Sequence, residues 1–278
     1  MLNLVTVVGK NTHLLPHMLK HYEKFVDKIY VVVYRQDEKD GILDEIEELG
    51  VIPYLVVTEP KYNWNKVTEL YNFVKRTKPE EWWIVSDDDE LQVYPYDIRD
   101  IITECEKNYF TFVTGGFLDR IGEYGIFPIV TRETNIHKEF PYAGFFRYPM
   151  SKACPNKVTL MKGFQDVTSG QHYAYFGNSN SWGKLHKNRM PIEDVFVQVH
   201  HFKWDSTSID RIKEVADTKF DYTFHWEYEK MYKSLERTNF TIDLNNHRFF
   251  IERLDNFDFM DFNDYSKWNI LRDKIVKI

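Results

Sequence analysis

Residues 81–95 read EWWIVSDDDELQVYP. An apolar run, Trp82, Trp83, Ile84 and Val85, gives way within two residues to four consecutive acids, Asp87, Asp88, Asp89 and Glu90. A short run of large apolar side chains is what a strand buried on both faces requires. Adjacent carboxylates repel one another, which costs stability unless a cation compensates. The ordinary use of a charge run is a solvated turn, yet a turn closing a strand more often uses Gly, Asn or Pro.

Working outward, the run is one strand in a series. The segment 3–9 (NLVTVVG) reads as a buried strand ending on Gly9. Residues 13–25 read as a helix with Pro16 in its first turn, where a missing N–H costs little. Strands follow at 28–34, 51–57, 82–86 and 109–116, separated by helices at 40–50, 65–77 and 95–108. This alternation predicts an α/β fold with a mostly parallel, Rossmann-like sheet and helices on both faces. Ligands of such sheets sit beyond the carboxyl ends of the strands, so the four acids fall at the ligand edge.

Beyond residue 116 the pattern changes. Residues 117–205 are irregular, with 157–163 (KVTLMKG) and 195–202 (VFVQVHHF) as the clearest strands. Helical periodicity returns at 208–220 and 225–237, and residues 264–278 read as an amphipathic helix. No repeat, low-complexity tract or linker separates these parts. The expectation is one domain over 1–278, with a nucleotide-binding half (1–116), an acceptor-side half (117–205) and a helical end (206–278).

Composition narrows the classes. The chain has 278 residues, enough to bury a substantial core. A net charge of -7 argues against holding nucleic acid mainly by charge. Two cysteines without CxxC spacing disfavour a cysteine zinc site and a disulfide framework, so a reducing, cytoplasmic setting is expected. No apolar run approaches the ~20 residues that span a bilayer. A P-loop signature is absent, which removes that class of nucleotide hydrolase.

Hard cations such as Mg²⁺ and Mn²⁺ take oxygen ligands and reach proteins through one or two carboxylates plus substrate phosphates. Along an extended segment Asp87 and Asp89 point one way and Asp88 the other. Asp87 and Asp89 are therefore the candidate metal ligands, with Glu90 behind them. In 195–202, Val195, Val197, Val199 and His201 share a face, and His200 lies on the other.

A βα half ending in VSDDDE resembles the A-type-fold, family 2-like glycosyltransferases. The resemblance covers the first ~120 residues. It implies that Asp87 and Asp89 hold Mn²⁺ or Mg²⁺ on the diphosphate of a nucleotide sugar, with a UDP-sugar favoured. Val8 and Gly9 at the first strand's end, Asp88, and Asp37 or Asp40 in YRQDEKDG are the further donor-contact candidates. That last turn departs from the acidic, Gly/Ser-rich turn of the family. The family's Gln-x-x-Arg-Trp motif of processive synthases is absent.

A late histidine is the usual third ligand, which implies His200 or His201. His201 is preferred because Lys203 shares its face, where an ammonium can meet the diphosphate. His172 has weaker support. The region after the fifth strand faces the acceptor in that family, so Asp119, then Glu123, are the candidate general bases of an inverting transfer. Trp64, Tyr173 and Trp182 are platform candidates, with ordinary packing the better explanation of each taken singly. The acceptor is a glycan or a hydroxylated DNA base. A basic excess (Lys152, Lys157, Lys162, Lys184, Lys187, Arg189) would favour the latter if it lined a groove, and otherwise reads as solvated surface. Two other readings stand beside this one: a nucleotidyltransferase, and a module that binds ligand without turnover.

Overall fold

A computed structural model describes residues 1–145, 156–175, 188–218, 225–246 and 250–253. The described residues fall into two compact units. The first comprises 1–116, 156–175 and 188–199; the second comprises 117–145, 200–218, 225–246 and 250–253.

In chain order the elements begin with β1 (Leu2–Val8), α1 (Leu15–Tyr22), β2 (Lys28–Arg35), α2 (Ile42–Glu48), β3 (Leu55–Thr58), α3 (Trp64–Arg76) and β4 (Trp82–Val85). Then come β5 (Glu90–Val93), α4 (Ile98–Lys107), β6 (Phe112–Ile121), α5 (Ile136–Glu139), β7 (Tyr142–Phe145), β8 (Asn156–Lys162), β9 (Asp166–Val167) and β10 (Ala174–Tyr175). The series ends with β11 (Val197–His201), α6 (Ser208–Asp217), α7 (His225–Arg237) and β12 (Phe250–Arg253).

The sheet of the first unit runs β6-β8-β4-β1-β2-β3. β1 pairs in parallel with β2 and with β4, matching Leu4 to Ile29 and to Ile84, and β2 pairs in parallel with β3. β8 is antiparallel to both β4 and β6, so β6 runs in the same direction as β4. The sheet is therefore mostly parallel, with β8 the reversed strand of this path. The central position of β1 explains its composition: Leu2, Leu4 and Val5 have no exposure. Leu70, Tyr71 and Val74 of α3 pack over Val5, Val32, Trp83 and Val85 on one face.

Local chemistry sets the boundaries. Pro16 lies in the first turn of α1. Asn63 caps α3 by accepting from Asn65 N at 3.0 Å, and Asp97 caps α4 by accepting from Arg99 N at 2.8 Å. β3 starts later than its apolar pattern, at Leu55, because Pro53 has no N–H to give a ladder. Gly115 permits a close crossing: a Cβ there would lie 1.9 Å from the carbonyl oxygen of Val197 on β11.

Both β6 and β11 continue into the second unit. There β7 pairs antiparallel with β6, setting Gly144 against Asp119, and β12 pairs antiparallel with β7. Ile121, Trp204, Ile212, Met231, Leu235 and Ile242 form this unit's apolar core, to which α6 and α7 contribute.

Candidate functional site

The acids after β4 form a tight turn. Glu90 N donates to Asp87 O at 3.1 Å, and β5 begins at Glu90. Buried Ser86 holds the turn from inside, donating from Oγ to Glu90 O at 3.0 Å, while Tyr22 Oη lies 3.0 Å from that Oγ. The extended alternation expected for Asp87–Asp89 is thus replaced by a reversal. Asp87, Asp88 and Asp89 are half-buried, and Glu90 is fully buried.

Glu90 survives burial because Lys157 meets it. Lys157 Nζ lies 2.7 Å from Glu90 Oε1 and 3.4 Å from Asp87 Oδ2. It also donates to Gly170 O at 3.0 Å and to Gln171 Oε1. Burial pushes this ammonium's pKa down, but Glu90 and Asp87, with Asp89 behind them, hold it above the ordinary lysine value. Lys157 is therefore not part of a solvated basic surface, as its sequence neighbourhood suggested. Asp87 Oδ1 accepts from Tyr71 Oη at 2.7 Å and from Gln171 Nε2 at 3.2 Å. Burial and the Asp87 charge drive the Tyr71 phenol well above its usual range, so it stays a donor. The backbone bends to deliver Gln171: Gly170 and Gln171 have φ of 66° and 52°, the latter in a region that non-glycine residues seldom adopt.

The Lys157 ammonium contacts two of the turn's four carboxylates, those of Glu90 and Asp87. The donors are all oxygen, and carboxylate oxygens of Asp89 and Glu90 lie within 4.8 Å of one another. This chemistry fits a hard divalent cation.

Other expected donor contacts lie along the strand ends of this unit. Val8 is buried and paired with Val33. A Cβ on Gly9 would lie 3.3 Å from Tyr34 O. Asp37 and Asp40 cap local turns, accepting from Lys39 N at 3.0 Å and Ile42 N at 3.1 Å. Trp64 opens α3. Tyr173 is half-buried between the short strands β9 and β10, and its N–H donates to Thr168 Oγ1 at 3.1 Å. His172 Nδ1 meets Asn156 O at 2.9 Å, and burial, aided by the Lys157 charge, lowers its pKa to about 4. Lys162 pairs with Glu106 at 2.9 Å and covers the Trp82 ring. Half-buried Arg189 bridges to Phe112. Lys152, Trp182, Lys184 and Lys187 lie outside the described residues.

In the second unit Asp119 is buried on β6. Its Oδ1 accepts from Trp204 Nε1 at 2.8 Å and from His201 Nδ1 at 3.0 Å. The Phe117 ring covers His201, with centroids 4.8 Å apart. His200 turns to buried Arg120, whose Nη1 lies 3.1 Å from His200 Nδ1. Arg120 also donates from Nη2 to Phe140 O at 2.6 Å, and burial lowers its pKa to about 9. Lys203 sits over the rings of Trp204 and Tyr228, 5.5 and 5.2 Å from their centroids. Glu123 is half-buried in a 3₁₀ turn.

The sequence carries no sign of the roles of Tyr71, Gln171 and Trp204, and it groups Lys157 with a basic surface rather than with Glu90. Lys157 had one signal: it directly precedes the strand residues Val158–Met161, and a charge carried into a buried strand needs a buried partner.

No family model matches the chain, and no curated protein matches it. Among solved structures it is similar to S. aureus TarS, at 8% identity over 99% of this chain and 48% of that one, with a TM-score of 0.31. The chain thus spans about half of that protein's length. It is also similar to S. aureus TarS 1-349 in complex with UDP-GlcNAc (8% identity, 99% and 80% covered, TM-score 0.32). A third likeness is to CMP:2-keto-3-deoxy-manno-octonic acid synthetase complexed with CTP (9% identity, 58% and 74% covered, TM-score 0.30). Likenesses at this level carry no statement about activity. No described helix is long and apolar enough to cross a membrane.

Proposed function

We propose that the protein is a metal-dependent glycosyltransferase. It moves a sugar from a nucleoside-diphosphate sugar, with a UDP-sugar as the first candidate donor, to a hydroxyl acceptor with inversion. The observation that supports this reading is the turn of four consecutive acids at the carboxyl end of β4, two of which meet the buried Lys157 ammonium. Asp87 and Asp89 are the assigned ligands of Mn²⁺ or Mg²⁺, and His201 is the assigned nitrogen ligand. When bound, such an ion neutralises charge on a departing diphosphate. Tyr71, Gln171 and Lys157 fix the Asp87 carboxylate in advance, which lowers the cost of ordering it around a ligand.

Removal of the acceptor proton falls to a carboxylate. Asp119, then Glu123, are the assigned bases; Asp119 Oδ1 accepts from His201 Nδ1 and Trp204 Nε1, and Glu123 is half-buried in its 3₁₀ turn. Val8, Gly9 and the turn holding Asp37 and Asp40 are assigned to the nucleoside, and Lys203 to the diphosphate. A glycan hydroxyl and a hydroxylated DNA base remain the two acceptor classes.

The test is a nucleotide-sugar screen with and without Mn²⁺ or Mg²⁺, read by thermal shift and by donor hydrolysis. Metal-dependent stabilisation and slow hydrolysis of one donor are expected. If no nucleoside diphosphate sugar binds in a metal-dependent way, the reading fails. Pyrophosphate release from a nucleoside triphosphate and a sugar phosphate would move the protein to the nucleotidyltransferases. For the base, Glu123→Gln is expected to bind donor normally; loss of transfer would assign the role to Glu123, and unchanged transfer leaves it with Asp119.

A further inference from the structure

We infer that Asp119 is a positioning residue that fixes the His201 imidazole as its Nδ1–H tautomer and so turns the Nε2 lone pair into the working end of the ring. The inference rests on the proposed function, in which His201 is a metal ligand. An ionised carboxylate can only accept, so the 3.0 Å contact with Asp119 Oδ1 makes His201 Nδ1 the donor. In the neutral ring the lone pair then belongs to Nε2. A ligating histidine commonly has its other nitrogen held in this way by a carboxylate.

Two further contacts fix the arrangement. Trp204 Nε1, which can only donate, meets the same Asp119 oxygen at 2.8 Å and holds the carboxylate in place. The Phe117 ring, two residues before Asp119 on β6, lies against the imidazole and restricts its rotation. The neighbouring histidine is an internal control. Arginine can only donate, so the 3.1 Å contact with Arg120 Nη1 makes His200 Nδ1 an acceptor and puts its proton on Nε2. Consecutive histidines of one strand are thus held in opposite tautomers by two charged neighbours of opposite sign on consecutive residues of β6.

The experiment is side-chain ¹⁵N NMR of histidine-labelled, metal-free protein, recorded well above the ordinary histidine pKa, with signals assigned through His200→Gln and His201→Gln. His201 is expected as Nδ1–H and His200 as Nε2–H. Asp119→Ala is expected to release His201 into a mixture of tautomers and leave His200 unchanged. The same variant is expected to weaken Mn²⁺ binding, measured by titration calorimetry, by about 10–100-fold. An Nε2–H tautomer at His201 in the wild-type protein overturns the inference and needs no variant to fold. An unchanged His201 signal in Asp119→Ala also overturns it. If the wild-type protein binds no Mn²⁺, the functional reading falls while the NMR measurement still decides the tautomer.

Discussion

The acid turn of the first unit and the Asp119 site of the second both bury carboxylates, and they satisfy them by different means. At the turn, a formal cation does the work: Glu90 and Asp87 face the Lys157 ammonium at 2.7 and 3.4 Å. At Asp119 the contacts are N–H groups of ring systems, from Trp204 and His201. The difference separates two kinds of preparation. A charge-compensated cluster is sensitive to any change in charge count. A carboxylate held by tryptophan and histidine transmits geometry, because altering it reorients a ring.

The largest expected effect follows from the first arrangement. Lys157→Met leaves Glu90 buried without its counterion and Asp87 with one contact fewer. Breaking a buried pair from one side costs about 3–5 kcal/mol. Chemical denaturation is expected to show a loss in that range, largely recovered in Lys157→Met/Glu90→Gln. A Lys157→Met protein within about 1 kcal/mol of wild type would mean the turn is not charge-compensated from inside. The second arrangement predicts a smaller loss. Trp204→Phe keeps most of the ring's packing and removes one donor from a buried acceptor, at about 1–3 kcal/mol. If Trp204→Phe costs more than Lys157→Met, the contrast between the two sites is reversed.

The same contrast decides what the amino-acid sequence disclosed. The strands and helices of the first hundred residues are visible in it because they obey local periodicity: the expected helix at 65–77 is α3, Trp64–Arg76, and the strand at 82–86 is β4, Trp82–Val85. The acids are visible because they are contiguous and follow an apolar strand. The insertion of β8 between β4 and β6 is not, since a strand arriving from residues 156–162 is a long-range pairing without local signature. Lys157 arrives on that strand, so the charge balance of the turn was hidden with it. The turn itself was misjudged because alternation assumes extended backbone, and the Asp87 carbonyl instead accepts from Glu90 N. At Asp119 the residue was identified but its partners were not, because Trp204 and His201 lie more than eighty residues away in the chain.

A pH series extends the comparison to a group beside the lysine. His172 is held with a folded pKa of about 4, against an ordinary value near 6.5, by burial and then by the Lys157 charge. Between these values the unfolded chain binds more protons than the folded one, so stability rises with pH across this window. Equivalently, this contribution is present above about pH 6.5 and is lost as pH falls toward 4. Thermal unfolding is expected to shift downward through that window, and His172→Gln is expected to flatten the slope. An equal slope in the variant would assign the acid sensitivity to other groups.

The smallest effect tests whether compensation inside the turn reaches its outer members. Asp88 is half-buried, and its charge adds to the repulsion that Lys157 only partly offsets. Asp88→Asn removes one negative charge without touching the lysine contacts. Without metal, stability is expected to stay level or rise by about 0.2–1 kcal/mol, the range of partly screened surface pairs. Asp89→Asn is expected to give the same small stabilisation but to abolish metal-dependent donor binding, whereas Asp88→Asn weakens that binding only through its charge. The pair therefore separates ligand from bystander at equal charge. A destabilisation of several kcal/mol in either variant would show that Asp88 and Asp89 hold the turn together, and the view that Lys157 stabilises it through Asp87 and Glu90 alone would have to be withdrawn.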